Sequence, residues 1–198
     1  MSKVQQQREK IGQLVAVGLL SALVVVFQTV SNFVKVGPVS VTLTLIPVVL
    51  GGCLLGRRWG AVLGFVFGLI VTVFVLSGTD VGGYMLFAAK PVTTVALCLI
   101  KGTAAGFAAA CIFAALKNKN QTVAVTLAAM TAPVVNTGIF TAAMLLIYPD
   151  TLAAWAGGSD ILLYVLTGLV GINFAVEFIA SAVLSPVLVS VLRSTRHT

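Results

Sequence analysis

Only five of the 198 residues are acidic and only one is histidine, and these scarcities remove most catalytic chemistry at the outset. The histidine, His197, lies in a polar tail, so a serine–histidine hydrolase has no base and a zinc enzyme lacks an imidazole ligand. Asp80, Asp150 and Asp160 fall in breaks between apolar runs, and Glu177 is the one carboxylate inside such a run. A paired-aspartate protease within the membrane is therefore excluded. No Gly-x-x-x-x-Gly-Lys-Ser/Thr stretch occurs, so the chain cannot itself hydrolyse ATP by that route. Cys53, Cys98 and Cys111 sit in apolar segments without a paired spacing and read as small buried hydrophobes. Charge is scarce too, at 9% of residues against roughly 25% in soluble domains. The chain reads as a non-enzyme with no cofactor and no metal.

What is present is apolar sequence: 59% of residues are hydrophobic and the mean hydropathy is +1.12. A helix needs about 20 apolar residues to cross a bilayer core, and the runs predict an all-α integral membrane protein of six spans. These fall at about 11–33, 39–55, 59–76, 91–116, 122–148 and 161–192, within a single membrane domain over 1–198. The first is read as a retained helix, since no small-residue cleavage site follows it. The net charge of +7 would suggest a nucleic-acid partner in a soluble protein, but the placement of the charges argues for a bilayer and against nucleic acid. Lys3, Arg8, Lys10, Arg57, Arg58, Lys117, Lys119, Arg193 and Arg196 all fall on the side of the termini. The positive-inside rule makes that side cytoplasmic, in a prokaryotic plasma membrane.

The connections carry their own expectations. Residues 39–45 alternate between aliphatic and hydroxyl side chains and could begin a strand or an irregular helix. Residues 77–90 read as a Gly-bearing loop, a lid hinged at Gly78, Gly82 and Gly83, and residues 149–160 as a second loop. Pro133 and Gly138 bracket Asn136 in what reads as a locally broken helix, and broken helices line cavities.

Ionisable groups at membrane depth are functional hypotheses by default. Lys101 lies ten residues into the fourth span, about 15 Å deep. Glu177 lies sixteen residues into the sixth, and Asn173 is one turn from it on the same face; Asn136 is at a similar depth on the fifth. Together they could form a polar floor for a ligand, with Gln28, Lys35, Tyr84, Phe87 and Lys90 covering it from outside. The bland alternatives are a Lys101–Glu177 charge pair pinning two helices, interhelical asparagine hydrogen bonds worth about 0.6 kcal/mol, and an interfacial belt of snorkelling lysines and aromatics. Gly18 and Ala22, four apart on the first helix, form a shallow notch that another helix could fill. Gly64 with Gly68 and Gly102 with Gly106 repeat the pattern.

The stretch Val39-Ser-Val-Thr-Leu-Thr-Leu-Ile-Pro-Val-Val-Leu-Gly-Gly-Cys-Leu-Leu-Gly-Arg-Arg-Trp-Gly-Ala and the later Asn173-Phe-Ala-Val-Glu177 with Leu184-Ser-Pro186 resemble the substrate-binding S components of energy-coupling factor (ECF) vitamin transporters. The resemblance covers nearly the whole chain, and the length, six spans and termini fit it. It implies a subunit that captures a water-soluble vitamin or related micronutrient outside the cell. Import would be driven by a separate transmembrane coupling subunit and two ATPase subunits. The family's Ala-x-x-x-Ala docking pattern in the first helix matches Gly18 and Ala22 here, with Gly12-x-x-x-Ala16 as the other match. Lys35, Lys90 and Lys101 would suit a carboxylate-bearing ligand such as pantothenate, unless Glu177 neutralises Lys101. Two other classes stand beside this one: an ion- or proton-coupled small-molecule carrier titrating Glu177, and an assembly protein that binds no small molecule.

Overall fold

The computed structural model describes residues 3–33, 35–36, 39–40, 43–169 and 171–194. Helix α1 spans Lys3–Phe33, α2 Leu45–Leu55, α3 Arg57–Leu76, α4 Val81–Ala89, α5 Pro91–Leu116, α6 Gln121–Leu146, α7 Pro149–Ala156, α8 Ile161–Tyr164 and α9 Gly171–Ser194. Between α1 and α2, Lys35–Val36 pairs with Val39–Ser40 in a two-residue antiparallel ladder, so the alternating stretch starts as strand, and by Leu43–Thr44 it is a turn leading into α2. Five helical stretches are long and apolar enough to cross a membrane: Gln5–Ser31, Arg57–Leu76, Pro91–Leu116, Gln121–Leu146 and Phe174–Leu192. Helix α2 is apolar but has 11 residues, about 16 Å at 1.5 Å per residue, roughly half of a hydrocarbon core. The architecture is that of a helical integral membrane protein.

The closest helix contact follows from glycine placement. Gly60, Gly64 and Gly68 recur every fourth residue along α3 and face Gly106, Gly102 and Cys98 of antiparallel α5. A Cβ on Gly60 would stand 2.6 Å from the Gly106 carbonyl oxygen, and one on Gly68 would stand 2.6 Å from that of Cys98. The two backbones therefore touch, which is how spans associate where lipid is as apolar as leucine. The repeated small pairs noted in the sequence are one seam. Gly52 of α2 joins its end, since a Cβ there would lie 2.9 Å from the Ala110 methyl.

Around this seam lies the main core, with Leu20 and Val24 of α1, Val48 of α2, Phe67 of α3, Ala105 of α5, Ala128 of α6 and Leu188 of α9 all buried. A second cluster sits toward the Lys90 end of the bundle, where Leu86, Leu97, Met144, Tyr148, Leu152 and Val165 pack together.

Two expected loops are helical. Residues 81–89 form α4 because Asp80 caps it, its Oδ1 accepting from the Gly83 N–H at 3.1 Å. Gly82 and Gly83 are thus helical packing positions and not hinges; a Cβ on Gly83 would run into Val75 and Asp80. Of the three expected hinges, only Gly78, at φ +72°, turns the chain as a glycine must. Asp80→Ala is expected to lower the stability of α4 by about 1 kcal/mol, visible as faster amide exchange across Val81–Ala89 while α5 stays protected. Residues 149–156 form α7, with Pro149 in its first turn and left-handed Gly157 at its end, the proline-start and glycine-stop asymmetry of short helices.

Two further expectations are corrected. Helix α6 runs unbroken from Gln121 to Leu146 with Pro133 inside it; a proline removes one N–H donor, and dense packing on both sides holds the helical path. The sixth apolar run is not one regular helix, since α8 passes into a π-helical segment, Val165–Leu169, before α9. The backbone widens where Gly168 lies under the Tyr164 ring.

Candidate functional site

Helices α5 and α6 are antiparallel neighbours, and their register is fixed at one end by three contacts. Lys90 Nζ donates to the Ile147 carbonyl at 2.7 Å and lies 5.8 Å from the Tyr148 ring centroid. The Thr94 and Tyr148 hydroxyls are 2.9 Å apart. Counting inward eleven residues from Lys90 reaches Lys101, and eleven from Ile147 reaches Asn136; both therefore lie about 16 Å from the pinned end. Deeper along the same pair, Lys101 Nζ stands 5.0 Å from the Phe140 ring centroid, a cation–π distance, and Phe140 is one turn from Asn136 on its face.

The register between α6 and α9 is set by the Thr126 and Ser185 hydroxyls, 3.1 Å apart. Ten residues on from each in opposite directions, Asn136 comes level with Ala175, between Asn173 and Glu177. Three helices thus bring Lys101, Asn136 and Glu177 to one layer, and the backbone of Asn173 to the same height. Counted as one regular helix from residue 161, the sixth run would put Glu177 about 24 Å down, nearer the basic end; the π-helical segment Val165–Leu169 shifts that count.

The layer is polar and largely buried. Asn136 and Glu177 are each 5% exposed. Asn136 Oδ1 has no hydrogen-bond partner among the described residues, and a buried amide left so costs about 1–3 kcal/mol. Lys101 is half-buried. Among the described residues, no group of three metal-ligating side chains forms.

The remaining predicted contacts do not join this layer. Gln28 is buried at the top of α1, where its Oε1 accepts from the Thr44 hydroxyl at 2.7 Å; with the Leu43 N–H donating to Ser31 Oγ at 3.2 Å, it ties α1 to the start of α2. Tyr84 is 49% exposed on α4, and Lys90 is held at the mouth by Ile147 and Tyr148. Phe87 packs against the main core. The side chains of Lys35 and Asn173 lie outside the described residues. Sequence reasoning missed Phe140, whose signal was its four-residue spacing from Asn136, and the Thr94–Tyr148 contact, which had none.

Gly18 and Ala22 are exposed. Leu20 and Val24 form the buried stripe of α1 beside the notch, and residues two apart on a helix are about 200° apart, so Gly18 and Ala22 lie on the side of α1 away from those two. A Cβ on Gly18 would meet nothing within 4 Å, nor would one on Gly12. No described helix of the chain fills the notch.

Comparison with curated proteins and with solved structures gave no match. Comparison with protein families matches residues 12–189 to the family described as ECF transporter, substrate-specific component. That stretch runs from the first turns of α1 to the end of the α9 core and takes in both the polar layer and the outward notch. The chain belongs to the substrate-specific components of ECF transporters.

Proposed function

We propose that this subunit captures a water-soluble, carboxylate-bearing micronutrient, with pantothenate as the first compound to try, at the layer formed by Lys101, Asn136 and Glu177. The observation that carries this reading is the buried Asn136 Oδ1, without a hydrogen-bond partner among the described residues and set level with the Lys101 cation. A ligand donor would satisfy the amide, and the ammonium would meet the carboxylate in a water-poor site where charge-assisted hydrogen bonds are strongest. Asn173 belongs to the same site by its height on α9. In this reading Lys90 at the start of α5, Gln28 near the end of α1 and exposed Tyr84 of α4 line the approach. Helices α4 and α7 cover that approach as packed lids, and no glycine hinge is needed.

Six spans follow if α2 is counted with the chain before it, placing both termini and Arg57, Arg58, Lys117 and Lys119 in the cytoplasm of a prokaryotic cell. The ligand then enters from the Lys90 end. Import is driven by a transmembrane coupling subunit and two ATPases, and the notch at Gly18 and Ala22 is the dock for that coupling subunit.

Mass spectrometry of small molecules released on denaturing the detergent-purified protein tests the reading. A stoichiometric water-soluble carboxylate is expected. Release of none after purification from a rich medium, together with no thermal shift by pantothenate, would count against it. Uptake that persists in ATP-depleted vesicles would favour a carrier titrating Glu177.

A further inference from the structure

A second feature lies on the lipid-facing side of the glycine seam, away from the polar layer. Between α3 and α5 runs a groove of about 500 Å³, within the range of about 300–1,000 Å³ for small-molecule sites. Its floor is small, Ala61 and Ala104, because the helices touch there through Gly60, Gly64, Gly102 and Gly106. Its walls are large: Phe65, Ile100 and Phe107, each 43–58% exposed. The one hydroxyl in the lining, that of Thr103, is spent on the Leu99 carbonyl at 2.7 Å. Nothing in the groove offers a hydrogen bond, so its occupant is a hydrocarbon.

Charge says which hydrocarbon. Arg58 is exposed in the first turn of α3 and shares a helix face with Ala61 and Phe65, three and seven residues on. Arg57 stands beside it. Phe65 lies about 12 Å along α3 from Arg57, within the roughly 15 Å half-thickness of a hydrocarbon core. The groove thus starts beneath a pair of guanidinium groups and runs inward by the depth of one leaflet. A guanidinium presents a planar fork of donors that matches a phosphate.

We propose that this groove holds one acyl chain of an anionic phospholipid from the leaflet on the Arg57 side, with its phosphate at Arg58. The walls and small floor seat the chain, and the arginine pair selects the headgroup. The site is separate from the polar layer and does not depend on the identity of the transported compound.

The test is native mass spectrometry of the delipidated full chain titrated with phosphatidylglycerol or with phosphatidylcholine of the same acyl chains. Expected is retention of one phosphatidylglycerol about fivefold in excess of phosphatidylcholine, the effect of one arginine near an anionic headgroup. Arg58→Gln, an exposed change that leaves the packing alone, is expected to remove that excess. Ala104→Trp, which fills the floor, is expected to remove both adducts; should it fail to fold, Arg58→Gln still decides. Equal retention of the two lipids, an excess unchanged in Arg58→Gln, or dimers of the chain appearing in place of lipid adducts would each overturn the proposal.

Discussion

Replacing Gly64 by valine is expected to destabilise the bundle by about 3 kcal/mol, the upper part of the usual range for overpacking, and to abolish a monodisperse peak in detergent size-exclusion chromatography. A Cβ at Gly64 would overlap the Gly102 carbonyl and come within 3.1 Å of Thr103 Cα. These are backbone atoms, so no rotamer change relieves the clash and α3 must part from α5. Parting them would also withdraw Val48 of α2, since Gly106 touches it at the same seam. Gly102→Val is expected to behave alike. Gly18→Ala is the control: with nothing near its Cβ and a helical backbone, it should be neutral or stabilise by about 0.5–1 kcal/mol. Equal loss in Gly18→Ala and Gly64→Val would contradict the packing described for the seam.

The second large effect concerns transport. Gly18→Trp or Ala22→Trp is expected to reduce ATP-driven uptake to background in vesicles containing the coupling complex, while affinity for the transported compound in the isolated subunit stays within twofold, less than about 0.5 kcal/mol. The tryptophan would project from the side of α1 opposite Leu20 and Val24. It would disturb no contact inside the chain and block close approach by another helix. Loss of ligand binding along with uptake would show that the notch is tied to the site itself, and unchanged uptake would show that the coupling subunit docks elsewhere.

Much of this was legible in the sequence because apolar run length and charge placement are dictated by the bilayer alone. The runs matched α3, α5 and α6 to within two residues at each end, and α1 at its end, though that helix begins eight residues earlier, at Lys3. The connections were harder, since Gly82-Gly83 reads as a flexible pair until Asp80 is recognised as a cap; a capping aspartate and a turn aspartate look the same without the helix that follows. Pro149 and Gly157 did bracket α7, but in an eight-residue segment with no clear apolar period. Pro133 suggested a break that tertiary packing overrides.

The site divides in the same way. Lys101, Asn136 and Glu177 stood out because polar groups at membrane depth are costly whatever surrounds them. That they share one layer depends on helix register, which Lys90 with Ile147 and Thr126 with Ser185 set through contacts 57 and 59 residues apart in sequence. No local pattern encodes such distances. Phe140 was hidden for the opposite reason: an aromatic residue in an apolar helix is unremarkable until a lysine from the next helix is found over it.

The proposed ligand site stands or falls on Asn136. An equilibrium titration of the compound that co-purifies with the subunit, run on wild type and Asn136→Leu with thermal unfolding measured in parallel without ligand, separates binding from folding. A buried acceptor without a partner weakens the fold, so leucine is expected to hold or raise the unfolding midpoint while weakening binding by about 10- to 100-fold, the loss of one or two buried hydrogen bonds. Unchanged affinity would remove Asn136 from the site, and a midpoint that falls together with affinity would make it a structural residue of the bundle.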